Sequence, residues 1–204
     1  MKKILFPLTI ILLSYLVSAF SFNKTKKKRH YTIQPNVTYT VSLYEDDADF
    51  IPSFANNYIG FKEAVAFKES QGNYFVLNGL GYMGKYQFGK STLATLRITN
   101  SEYFLYSPQL QEKAFKANCR YNKWVLKKEI EKYAGSTIKG IKITESGILA
   151  AAHLSGAGSV RKFLRHQGKN KKIVDSYGTT IEHYLEKFSG YNLSSLQATK
   201  RPRL

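Results

Sequence analysis

Glu69 closes an apolar segment that begins near Tyr58, and a stretch rich in glycine and aromatic residues follows it directly. A carboxyl at the C-terminal end of an apolar helix is partly desolvated and faces the negative end of the helix dipole. Both effects favour its protonated form, which is the form a general acid must hold near neutral pH. The stretch after it supplies Tyr74, Tyr82, Tyr86 and Phe88 as ring faces, and Gln87 as an amide that both donates and accepts. It supplies no second acid, for there is neither Asp nor Glu between Ser70 and Ser101. Hydrolytic glycosidases work with two carboxylates, so this spacing favours chemistry run by one. Glu63 lies six residues back on a different helix face, whereas Glu145 and Asp175 are distant acids whose arrival by folding would permit hydrolysis.

His153 follows three alanines. It reads equally as a groove-lining hydrogen-bond donor and as a satisfied core histidine. No Cys or His stands at ligand spacing from it, so neither zinc nor any other cofactor is expected. Cys119, the only cysteine, follows Phe115 by four and reads as a small buried apolar residue; alone, it forms no internal disulfide.

Four short motifs occur in order. They are Glu69-Ser70-Gln71-Gly72-Asn73-Tyr74, then Gly81-Tyr82-Met83-Gly84-Lys85-Tyr86-Gln87-Phe88, then Ala151-Ala152-His153-Leu154-Ser155-Gly156-Ala157-Gly158, and finally Gly178-Thr179-Thr180-Ile181-Glu182-His183-Tyr184-Leu185. Together, over about residues 55–190, they resemble the lysozyme-like lytic transglycosylases of the soluble and phage types. The third motif departs from the family pattern, with His153 at a position usually Tyr and Leu154 at one usually Asn. In the second, Tyr86 stands where Met is common. The resemblance implies a mainly α, lysozyme-like α+β fold, a helical bundle with a small loop or β insertion after the catalytic helix. It implies Glu69 as catalytic acid and Ser70, Tyr82, Tyr86, Gln87, Phe88, His153 and Tyr184 as groove residues. The implied reaction cleaves the MurNAc–GlcNAc β-1,4 bond of peptidoglycan and leaves 1,6-anhydro ends, without a cofactor. A lysozyme-type muramidase and a non-catalytic peptidoglycan-binding module are the alternatives; the second should have lost Glu69.

The elements that must position these residues are helical. Residues from Tyr58 are apolar nearly all round, which predicts a buried helix stopped by Gly72-Asn73. Residues 73–89 read as a loop or short hairpin, Lys90–Arg97 as a short helix. Ser107-Pro108, an N-cap followed by proline, opens the longest helix, expected to reach about Tyr133 with Leu110, Ala114, Ala117, Tyr121, Trp124 and Val125 on its inner face. Thr144 caps another, Ser159–Arg165 forms a short one, and Thr179 to Glu182 reads as the capping box of the last, which ends at Ser189-Gly190.

The chain has 204 residues, 43% hydrophobic and 14% aromatic, enough for one domain with a core. Its formal charge of +17 gathers at Lys2-Lys3, at Lys24 to Arg29 and at Lys200 to Arg203, but outside these tracts 21 basic residues still face 14 acidic ones. Anionic partners follow. The tracts flank the domain rather than interleaving with its aromatics, which suits contact with an anionic wall or membrane surface better than nucleic-acid recognition. Met1-Lys2-Lys3, an apolar run from Ile4 to Phe22 and Val17-Ser18-Ala19 predict a secretory signal over 1–19, the alternative being an uncleaved anchor. The expectation is an exported monomer in the periplasm or on the surface of a bacterium. Its parts are a tether over 20–54, the catalytic domain over 55–190 and a basic tail over 191–204. Glu45, Asp46, Asp47 and Asp49 lack the Gly and distal Glu of a calcium loop and read as a solvated acidic turn.

Overall fold

The computed structural model describes residues 55–169 and 178–204. The signal segment, the tether and its acidic turn, and Asp175 lie outside the described residues. Within them the fold is mainly helical: eight helices and one small antiparallel hairpin. The helices are α1 (Tyr58–Ser70), α2 (Lys90–Thr95), α3 (Ser101–Leu105), α4 (Pro108–Val125), α5 (Lys127–Tyr133), α6 (Glu145–Ser155), α7 (Ala157–Arg165) and α8 (Ile181–Lys187). The hairpin, β1 (Thr137–Ile138) and β2 (Ile141–Lys142), falls between α5 and α6. No described helix is long and apolar enough to cross a membrane.

Local chemistry sets the ends of these elements. Asn57 caps α1 by accepting from the Gly60 amide at 3.1 Å, and Gln71 and Gly72, at φ 54° and 82°, turn the chain out of it. Ile59 is 56% exposed, so α1 is not buried all round. Ser107 caps α4 with Pro108 behind it, and Thr144 caps α6 through the Gly147 amide at 3.1 Å. The last cap is displaced by one residue from the expected box: Thr180 accepts from the His183 amide at 3.1 Å, while Glu182 lies 3.5 Å from Lys139.

The longest helix does not reach Tyr133. It breaks at Leu126, which is fully buried, and resumes as α5. Arg161 of α7 donates to the Val125 carbonyl at 2.7 Å, and the buried Glu129 of α5 accepts from Arg165 at 2.7 Å. The break thus gives both arginines an acceptor, a gain invisible within the helix's own sequence. The inner face of α4 also differs from expectation. Ala114 and Ala117 are buried, but their companions are Gln111, Phe115, Asn118, Cys119 and Asn122, and Trp124 is 39% exposed.

At the centre lies α6, buried from Ser146 to Ala152 and packed against α4, α7 and α8. Gly147 permits the approach of α8: a Cβ there would stand 2.4 Å from the Leu185 carbonyl oxygen. Of the two forms expected for the insertion after α1, loop or β, the chain takes the loop, with two isolated bridges, Leu77 to Met83 and Met83 to Phe88. The ladder itself is the later hairpin, pairing Thr137 with Lys142 and Ile138 with Ile141 around Lys139 and Gly140, both at positive φ. After α8 the chain buries Leu193 and Leu196 in the same core.

Candidate active site

The loop that follows α1 is pinned from beneath by α4. Gln111 is fully buried, its Oε1 accepting from the Lys85 amide at 2.8 Å. Its amide nitrogen lies within 3.2 Å of the carbonyls of Tyr74, Phe104 and Leu105. Gly84 makes room for this side chain, since a Cβ at its φ of 76° would lie 2.2 Å from Gln111 Oε1. Ser70 joins the end of α1 to the loop by donating to the Lys85 carbonyl at 2.8 Å. One residue along, Glu112 accepts from Lys62, Tyr74, Lys85 and Tyr86. Burial pushes its carboxyl upward, yet these four donors outweigh burial and hold it at about 2. The Lys85 ammonium, itself buried, bridges Glu112 to Glu63 and stays protonated well above the usual lysine range; burial opposes this, and the hydrogen bonds it donates to both carboxylates prevail.

Above this support lies a cavity of about 380 Å³ whose wall includes Glu69, Tyr82, Gln87, His153 and Tyr184. Residues drawn from all four motifs therefore meet in one place. The Tyr184 hydroxyl donates to Glu69 Oε1 at 2.8 Å. Asn78 shapes the lip by accepting from the Leu80 and Tyr82 amides at 2.9 and 3.0 Å, and Tyr82 stays 43% exposed, with a ring face available. Gln87 adopts a left-handed φ of 47° and donates to the Gly84 carbonyl at 3.0 Å, which turns its side chain along the wall. A second cavity, of about 770 Å³, shares Tyr82, Gln87, His153 and Leu154 with the first. Neither has an acidic lining residue other than Glu69, among the described residues.

Tyr86 and Ser70 sit away from both cavities, while Phe88 is largely in the core and reaches only the wall of the second. Tyr86 is fully buried, stacks on Phe115 with centroids 4.1 Å apart and donates to Glu112 at 2.9 Å. Phe88 is 1% exposed and packs edge-on against Phe104. Met83 to Tyr86 are buried in succession and Phe88 again after Gln87, so both rings join the core. Ser70 lines neither cavity and acts as a fastening. Glu145 pairs with Lys123 at 2.7 Å and is absent from both walls. Thr179, next to the cap residue Thr180, lines the first cavity; its place in the fourth motif was the available signal. Gln111, Glu112 and Asn118 gave none, because their partners are far away in the chain.

His153 lines both cavities, but both of its ring nitrogens are engaged within the fold, as in a satisfied core histidine. Its Nε2 lies 2.7 Å from the Tyr86 carbonyl, which only accepts, so this nitrogen carries the proton and Nδ1 accepts from Asn118 at 3.1 Å. Burial pushes the imidazole down to about 4, against the raising effect of the Tyr86 bond. Since the unfolded chain takes up this proton near 6.5, stability should fall as pH drops from 6.5 toward 4 and be unaffected by this group above 6.5. The loss expected is about 3 kcal/mol. Denaturant titrations at pH 4, 5 and 6.5 check it: the wild-type protein should lose more over that range than His153→Gln, and parallel losses would remove the imidazole as the cause.

Among the described residues, no group of three or more His, Cys, Asp or Glu side chains could hold a metal ion. No protein family, curated protein or solved structure matches the chain.

Proposed function

We propose that the protein is a peptidoglycan lytic transglycosylase of lysozyme-like fold, with Glu69 as its single acid and base. One observation carries the reading: the Glu69 carboxyl, held at 2.8 Å by Tyr184, shares a cavity wall with Tyr82, Gln87 and His153, and no second carboxylate lines that cleft among the described residues. In the reaction, the protonated Glu69 carboxyl gives its proton to the glycosidic oxygen as the bond from C1 of N-acetylmuramic acid breaks. The departing oxygen keeps that proton as the new hydroxyl of the neighbouring sugar. The substrate's own N-acetyl group stabilises the electron-poor C1. Glu69, now ionised, takes the proton of the C6 hydroxyl as that oxygen bonds to C1, so the acid is regenerated and no water is consumed. Tyr184 keeps the carboxyl oriented through both transfers. Tyr82 offers a sugar face and Gln87 an amide.

Digestion of purified sacculi tests this through the mass of the products. Anhydro-ended fragments, lighter than reducing-end fragments by one water, should dominate. Reducing ends as the main product would replace the transglycosylase by a muramidase, and no glycan cleavage would remove the reading altogether.

A further inference from the structure

A third cavity, of about 600 Å³, adjoins the second and shares the lining residues Thr95 and Tyr121 with it. Its wall carries Arg97, Lys200, Arg201 and Arg203 and no acidic side chain. Among the described residues none of the four cations makes a salt bridge. Charges of one sign along a concave wall focus a field toward its opening.

Residues 197–200, which lead to Arg201 and Arg203, are held where they lie. Arg120 of α4 donates to the Gln197 carbonyl at 3.1 Å and to the Thr199 hydroxyl at 2.9 Å, and the Thr199 amide returns a bond to the Arg120 carbonyl at 3.0 Å. Lys200 rests 5.3 Å above the Trp124 ring. The buried Leu193 and Leu196 fix the chain leading to them. The basic segment expected from sequence to be a tail therefore gives Lys200, Arg201 and Arg203 to the wall of the third cavity, next to the second.

We infer that this third cavity binds carboxylate groups carried on the polymer that occupies the cleft, which, on the reading of that cleft as a glycan site, means the acidic peptide branches of a peptidoglycan strand. Arginine suits the task because its planar fork takes a carboxylate through two parallel hydrogen bonds. A bare glycan would cross the first two cavities and leave the third without a partner.

Binding to the full chain carrying Glu69→Gln, which prevents turnover, tests this at low salt. The probes are glycan strands with their peptide branches, the same strands stripped of peptide, and a single-stranded DNA of equal charge. Branched strands should bind about five- to tenfold more tightly than stripped ones, the scale of two exposed charge-assisted contacts. Arg201→Gln with Arg203→Gln should erase that difference without changing the melting temperature or the binding of stripped strands. Arg201→Lys with Arg203→Lys should keep part of it. Equal binding of branched and stripped strands, a preference that survives the glutamine pair, equal binding of the DNA, or no glycan binding at all would each overturn the inference. Cleavage of stripped strands by the chain with Glu69 intact judges the catalytic reading separately.

Discussion

Glu69→Gln is expected to lower glycan cleavage by at least ~100-fold while the protein stays folded. The amide oxygen of glutamine can still accept from the Tyr184 hydroxyl that lies 2.8 Å from Oε1 in the native protein, so the local geometry survives. What disappears is the proton. An amide neither gives one to a glycosidic oxygen nor takes one from a hydroxyl, and both halves of the reaction stop. The cleft offers no understudy, because its described walls contain no other carboxyl. Clearing of purified cell walls, followed by turbidity beside a melting curve, measures both quantities. Clearing at the wild-type rate ends the assignment of Glu69. A variant that melts far below the wild type makes the carboxyl a structural group.

Tyr86→Ala is expected to act on the opposite quantity, costing about 3–5 kcal/mol of stability. The ring is fully buried, stacked on Phe115 at 4.1 Å, and its hydroxyl is one of four donors that hold Glu112 ionised. Truncation leaves a ring-sized void and removes that donor together. Against a domain stability of roughly 5–15 kcal/mol, such a loss populates the unfolded state. Tyr86→Phe keeps the packing and drops only the hydrogen bond, so about 1 kcal/mol is expected. Urea titration of both variants separates the two contributions. Wild-type stability in Tyr86→Ala, joined to weakened glycan use, would return this residue to the cleft wall where the motif alone had put it.

The contrast between Tyr82 and Tyr86 shows where sequence stops informing structure. Both lie in one glycine-rich loop four residues apart. A loop has no fixed period, so nothing in the chain says which ring turns inward; the isolated bridges at Met83 and the clamp by Gln111 decide it. Caps were readable because they act within three residues, as at Ser107 and Thr144. Even so, two adjacent threonines left the last cap ambiguous, and Thr180 won it. The buried polar stripe of α4 was unreadable for a different reason. Gln111, Asn118 and Asn122 look like solvent-facing residues until carbonyls, an imidazole and a neighbouring amide supply their partners. The convergence of Glu69, Gln87, His153 and Tyr184 was legible through the order of the motifs, while their distances were not. The role of residues 197–203 was hidden because basic residues at the end of a sequence look alike whether loose or seated.

The Gln111 clamp has a consequence for how this protein changes by mutation. Codons for glutamine and glutamate differ at a single base, so Gln111→Glu is among the easiest substitutions for the gene to make. In shape it is nearly silent. In chemistry it turns an NH2 that serves the carbonyls of Tyr74, Phe104 and Leu105 into an oxygen facing all three, beside the already ionised Glu112. Inheritance of the cleft is therefore guarded at a codon that encodes no part of its wall, and a lineage can lose the loop, and the site it carries, while every residue facing the cleft is passed on unaltered.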